Sequence, residues 1–261
     1  MKSGRAFAVR VALLSAVLVV VLVYAAHDVY SRRQRNAWRR TLDVAFIVVT
    51  EPGVDATAVD ELRRRVPDLA DRLAEELARY RADAPRPFAF TAYGPTALGV
   101  PLPTPGDDLA GAARYAWDLH RFTSDIDARA GVPTRGFDAR LYLVLSPPSD
   151  RAVVEGMSEQ GGRVGIARAE LDLPSVDISL FVAAHELFHT LGASDHYGPE
   201  GRALVPAGLA EPERSPLYPQ RFAEIMARNR PLSPTDEARP ESLAELAVGP
   251  STAQEIGWSR P

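Results

Sequence analysis

Apolar and polar positions along the chain mark out strands and helices in succession. Leu42–Thr50 (LDVAFIVVT) is an almost unbroken apolar run, rich in β-branched residues and closed by Glu51-Pro52-Gly53, which predicts a buried strand. From Asp55 to Tyr80 the residues Leu62, Val66, Leu69, Leu73 and Leu77 recur at helical spacing, with Asp55 or Thr57 as the cap and Pro67 as a kink. Pro87–Tyr93 predicts a second strand, followed by a Pro- and Gly-rich loop over 94–106. Asp107–Ala130 predicts a second long helix, with Leu109, Ala113, Ala116, His120 and Ile126 towards the core. Ala139–Leu145 predicts a third strand, and Glu155–Gly162 is polar and glycine-rich. Arg163–Ala169 alternates like a strand with one covered face, which puts Arg163, Val164, Gly165, Ile166, Ala167 and Arg168 at a sheet edge. Strands and helices in this order predict a single α/β domain over 41–261.

The first 40 residues follow another pattern. Val11–Ala26 (VALLSAVLVVVLVYAA) carries no charge, and Phe7–Val9 extends the apolar character beyond Arg10, close to the roughly 20 residues of a membrane-spanning helix. Two readings stay open: an anchor through residues 7–26, or a signal peptide cleaved after Ala25, which would leave a secreted protein. The arginines that follow, Arg32 to Arg40, favour the anchor. They also weigh towards a cytoplasmic domain, whereas a short N-terminal tail ordinarily stays inside; the expectation is a membrane-anchored, extracytoplasmic domain.

Composition narrows the chemistry. Among 261 residues there is no Cys, so a disulfide framework, a thiolate metal site and a thiol nucleophile are excluded, and a metal must be held by His, Asp or Glu. The net charge of −4 is uneven: residues 1–40 hold eight basic side chains and one acid, leaving −11 on the remainder. A domain this acidic repels phosphate backbones, so no nucleic-acid partner is expected.

Of five histidines, three lie between His185 and His196. On a helix His185 and His189 share a face and can offer their imidazoles to one cation. Glu186, about 100° further round, can reach a water on that cation but not the cation itself. The interleaved Phe181, Val182, Ala184, Leu187, Phe188 and Leu191 are apolar on nearly every side, so the helix is buried and its polar residues need partners. Gly192 stands where the helix must end, and a turn there brings up Asp195, or alternatively His196, as a third ligand.

The run HELFHTLGASD resembles the extended zinc motif of the metzincin metallopeptidases, and Gly192–Tyr197 (GASDHY) is most like the snapalysin-type bacterial neutral proteases, in which an aspartate replaces the third histidine. The resemblance implies an α+β variant of the α/β fold: a mixed, mostly parallel twisted sheet with an antiparallel edge strand, and long helices that include the zinc-binding one. It implies one catalytic Zn2+ on His185, His189 and Asp195, with Glu186 as general base, and a methionine in a tight turn beneath the metal, for which Met226 is the candidate. It further implies a last helix at Ser251–Trp258 and substrate added antiparallel to the edge strand, here 163–168. Tyr197 is a candidate for an oxyanion or substrate contact, beside a plainly structural role for its hydroxyl. The implied activity is a zinc endopeptidase acting on proteins or peptides. The competing reading is a membrane-tethered, non-catalytic scaffold that keeps zinc for stability; Glu186 argues against it, because a structural site gains nothing from a base beside the metal.

Overall fold

The computed structural model describes residues 2–106, 108–149, 154–158 and 161–259. It contains a five-stranded sheet built from β1 (Leu42–Thr50), β2 (Phe88–Ala97), β3 (Ala139–Ser146), β4 (Val154–Ser158) and β5 (Val164–Glu170), in the order β2-β1-β3-β5-β4. The pairs β1/β2, β1/β3 and β3/β5 are parallel; β4 runs antiparallel to β5. The architecture is therefore mixed α/β, mostly parallel, with an antiparallel edge.

Helices cover both faces. The faces of β1 and β3 alternate: Val44, Phe46, Val48, Leu141 and Leu143 belong to one core, with α2 (Ala56–Ala78) and α4 (Val176–Thr190). Ala45, Ile47, Val49, Tyr142 and Val144 belong to the other, with α3 (Leu109–Ala130). Burial on both faces is what makes these strands continuously apolar. Asp55 caps α2 by accepting from the Thr57 N–H at 2.9 Å, and α2 runs unbroken through Pro67. Asp108 caps α3, whose core face is Phe122 and Ile126; Leu109 and His120, expected to point inward, are exposed. Short pieces follow: β6 (Ala223–Glu224), β7 (Arg230–Pro231), β8 (Glu237–Ala238), a 3-10 turn at Leu243–Glu245, β9 (Leu246–Ala247) and α5 (Pro250–Glu255), with β6 pairing β9 and β7 pairing β8.

One expectation needs correction. The segment 163–168 is not at the edge: β5 lies between β3 and β4, so its backbone groups are engaged on both sides. The polar residues that made it alternate find partners inside the fold, Arg168 with Glu51 at 3.0 Å and Arg163 with Ser31. The strand at that edge is β4, drawn from the glycine-rich stretch whose composition reads as loop, and β2 forms the opposite edge.

The basic stretch before residue 41 also makes contacts with the fold. Helix α1 (Lys2–Arg35) delivers Arg35 and the following Trp38 into the fold, 3% and 2% exposed respectively. Trp38 packs edge-on against Phe88 and Trp258, each 5.7 Å away, and its indole N–H donates to Ile256 O at 2.7 Å. Arg40 pairs with Asp138 at 2.6 Å. Residues of the basic stretch thus pack against the fold that follows residue 41. Among the described residues, no helix is long and apolar enough to cross a membrane. The anchor expected over 7–26 falls within α1, and the side chains of residues 2–9, 13, 24, 27 and 28 of that helix lie outside those described.

Candidate metal centre

Helix α4 packs on β5, β4 and β3 and crosses α2, so nearly every side chain it carries is buried. Its ends are tied down. Asp177 in the first turn, where a negative charge suits the helix dipole, pairs with Arg65 at 2.6 Å and accepts from the Leu243 N–H. At the other end Gly192 takes φ +100°, a left-handed conformation open to glycine at little cost, and its N–H donates to His189 O at 2.9 Å. Arg35 donates to Thr190 O and to Gly161 O and Gly162 O, and Asn36 donates to Leu191 O. A cation and an amide therefore meet the carbonyls that a helix C-terminus leaves without partners.

This rigid frame brings three side chains together. His185 Nε2 and His189 Nε2 stand 3.1 Å apart, and Asp195 Oδ1 lies 3.2 and 3.3 Å from them. Ligands held about 2.0–2.1 Å from a tetrahedral zinc are separated by about 3.3 Å, so the triangle fits such an ion. Each imidazole is fixed through its other nitrogen: His185 Nδ1 bonds to Ile225 O at 2.8 Å and His189 Nδ1 to Ala193 O at 2.9 Å, which leaves both Nε2 atoms turned to the common point. Burial works against charge on His189, but its bond to Asp195 and the nearby Glu186 raise its pKa. Burial likewise pushes the Asp195 carboxyl up; hydrogen bonds from both imidazoles overcome this and hold it well below the usual carboxylate range.

His196 faces away from this triangle. It is 5% exposed and sits between Glu224 and Glu255, with Nδ1 3.2 Å from Thr252 Oγ1 and Nε2 3.4 Å from Glu255 Oε1. Its backbone N–H donates to Met226 O at 2.9 Å. Glu224, fully buried, accepts from the Met226 N–H, the Gly249 N–H and the Thr252 hydroxyl. His196 and Glu224 thereby lock the ligand loop onto the turn of Met226, itself fully buried below the site. Adjacent residues in a turn point apart, and here Asp195 takes the inner direction.

Glu186 is 3% exposed, with Oε1 3.9 Å from His185 Nε2, beside the triangle but outside it. The Ser158 hydroxyl donates to Glu186 Oε2 at 2.5 Å. A Cβ on Gly156 would fall 1.6 Å from Glu186 Oε1, so the edge strand leaves space for that carboxylate only because residue 156 has no side chain. Gly156 and Ser158 escape sequence reasoning, since nothing in a polar, glycine-rich stretch signals a strand. Tyr197 lies 6.4 Å from the His185 ring; burial, then the Asp195 charge, pushes its hydroxyl up to about 12, which keeps it a donor at neutral pH. A cleft of about 850 Å³ opens over these groups.

Comparison with protein-family models finds no match, and none is found among curated proteins. Among solved structures, the crystal structure of wild-type OgpA from Akkermansia muciniphila aligns at 13% identity with a TM-score of 0.32, over 85% of this chain. The chain spans 62% of the OgpA chain's length.

Proposed function

We propose that this chain is a zinc-dependent peptide hydrolase of metzincin type. The observation that carries the reading is a three-ligand triangle with a buried carboxylate placed next to it but not in it. A site kept for stability alone is usually closed by four protein ligands, whereas this one has three and opens into the cleft on its Asp195 side, where that side chain is 43% exposed. A zinc ion on His185, His189 and Asp195 would supply Lewis-acid chemistry, polarising a substrate carbonyl and acidifying a water.

The chain's own residues do the rest. Glu186 accepts the proton of the attacking water and returns it to the leaving amine, with Ser158 holding its other oxygen in place. The open edge of β4 offers backbone groups to an extended peptide, which gives affinity with little dependence on side chains. Val17–Val23 of α1 are solvent-facing throughout, with Val20 67% exposed, and the reading takes this apolar stretch as the segment through which the chain meets a lipid bilayer.

The test is metal analysis of the purified chain together with casein digestion. The expected result is about one zinc per chain and digestion abolished by a chelator and restored by added zinc; a metal-free, folded protein would overturn the reading.

A further inference from the structure

The acids that line the cleft are already engaged. Glu186 bonds to Ser158, Asp195 to two imidazoles, and Glu200 pairs with Arg202. Two basic side chains also line it, Arg228 and Arg239, and among the described residues neither has a carboxylate partner. Three other arginines of the same irregular segment do, Arg202 with Glu200, Arg221 with Glu211 and Arg230 with Glu245, while Arg214, which does not, lies outside the cleft. In a domain with an excess of acidic residues, two cations left unpaired in one cleft stand out.

Arg228 is also held in place at some cost. Its φ is +72°, a left-handed conformation uncommon for any residue with a side chain, and such outliers gather where the surrounding structure over-determines them, often at binding sites. Its guanidinium lies 5.1 Å over the Tyr197 ring, and that ring stacks 6.4 Å from His185. The cation is therefore two stacking steps from a metal ligand, a distance that an extended peptide covers in a few residues at about 3.3 Å each. Arg239 lies further along, beside Ile178 in the first turn of α4, where a smaller cavity of about 270 Å³ continues the groove. Between them Phe181 and Val182 give the cleft an apolar wall.

We infer that the cleft selects peptides bearing a carboxylate close to the scissile bond, captured by Arg228 and, further along, by Arg239. A planar guanidinium stacked on an aromatic ring presents its N–H fork to a carboxylate's two oxygens. The carboxylate can belong to an internal Asp or Glu or to the C-terminus of a short peptide, and the chemistry of capture is the same for both. This inference rests on the peptide-hydrolase reading but is tested apart from it.

The experiment measures binding without turnover, using the full chain carrying Glu186→Gln and loaded with zinc. Labelled Ala-rich octapeptides with a single Glu, Gln or Lys at successive positions, each with a free or amidated C-terminus, are titrated by fluorescence anisotropy. At one position Glu should bind about tenfold tighter than Gln, as expected for a charge-assisted pair. That preference should vanish in an added Arg228→Gln, shrink in Arg239→Gln, and turn towards Lys in Arg228→Glu. If tight binding instead follows the free terminus and is lost on amidation, the carboxylate captured is the terminal one, provided that Arg228→Gln abolishes it. Equal affinities for Glu and Gln and for acid and amide, a preference untouched by both arginine variants, or no peptide binding at all, would overturn the inference. Acidic peptides captured by a protein whose parent cleaves none would refute hydrolysis alone; peptides cleaved with no preference for acid would refute this inference alone.

Discussion

The Ile225 carbonyl bonds to His185 Nδ1 at 2.8 Å and so joins the active helix to the turn that ends in Met226. One residue on, the Met226 carbonyl accepts from the His196 N–H, so the same turn fixes both His185 and the loop that carries Asp195. The imidazoles of His185 and His189 are held through separate bonds, so the parts of the site can be perturbed separately.

Asp195 and His196 should behave oppositely. Asp195→Ala removes one corner of the triangle and is expected to lose most of the bound zinc. His196→Ala should keep the zinc but lower the melting temperature by several degrees, because it removes a buried imidazole bonded to Thr252 and Glu255, a loss of about 1–3 kcal/mol. Metal content and thermal unfolding on one preparation check both halves; loss of zinc in His196→Ala with zinc kept in Asp195→Ala would reverse the assignment.

Much of this was legible in the chain. The spacing of His185, Glu186 and His189 specifies one helical face, Gly192 marks the turn, and the long apolar runs mark β1 and β3 because burial on both faces leaves no room for polar alternation. What escaped depends on partners far away in sequence. Arg163 and Arg168 read as the solvent side of an edge strand, yet their partners Ser31 and Glu51 are more than 100 residues away. The true edge, β4, has no β-branched run, and its strand character comes from pairing with β5. The arginines Arg32 to Arg40 read as the flank of a membrane anchor, whereas Arg35, at the end of α1, is consumed in capping α4.

Gly156→Ala should disarm the site without emptying it. The added methyl would fall where Glu186 Oε1 now lies, so the carboxylate must swing away. The expected outcome is a loss of peptide hydrolysis of at least about 100-fold with zinc retained, since a positioned proton acceptor contributes that much and Glu186 is no ligand. Hydrolysis within a few-fold of the parent would show that the edge strand does not constrain Glu186.

The Arg40–Asp138 pair should give the domain an acid-dependent stability. Burial pushes the Asp138 carboxyl up, but the hydrogen bond from Arg40 and the Asp43 N–H outweigh it and hold it below its ordinary value. A carboxyl depressed in the folded state stabilises fully above its unfolded pKa, about 3.9, and loses that contribution as pH falls through the folded value. The melting-temperature gap between the parent and Asp138→Asn should be constant from pH 7 to 5 and close below about pH 4. A gap that stays open down to pH 2.5 would contradict the assignment.

The central claim, that Glu186 is a base beside a metal and not part of its coordination, is tested most directly by Glu186→Gln, with zinc content, melting temperature and peptide hydrolysis measured on the same sample. The amide has nearly the same shape and can still receive the Ser158 hydroxyl through its carbonyl oxygen. Zinc and melting temperature should therefore match the parent while hydrolysis falls by at least about 100-fold. A folded, zinc-loaded Glu186→Gln protein that hydrolyses peptides at the parent rate would contradict it.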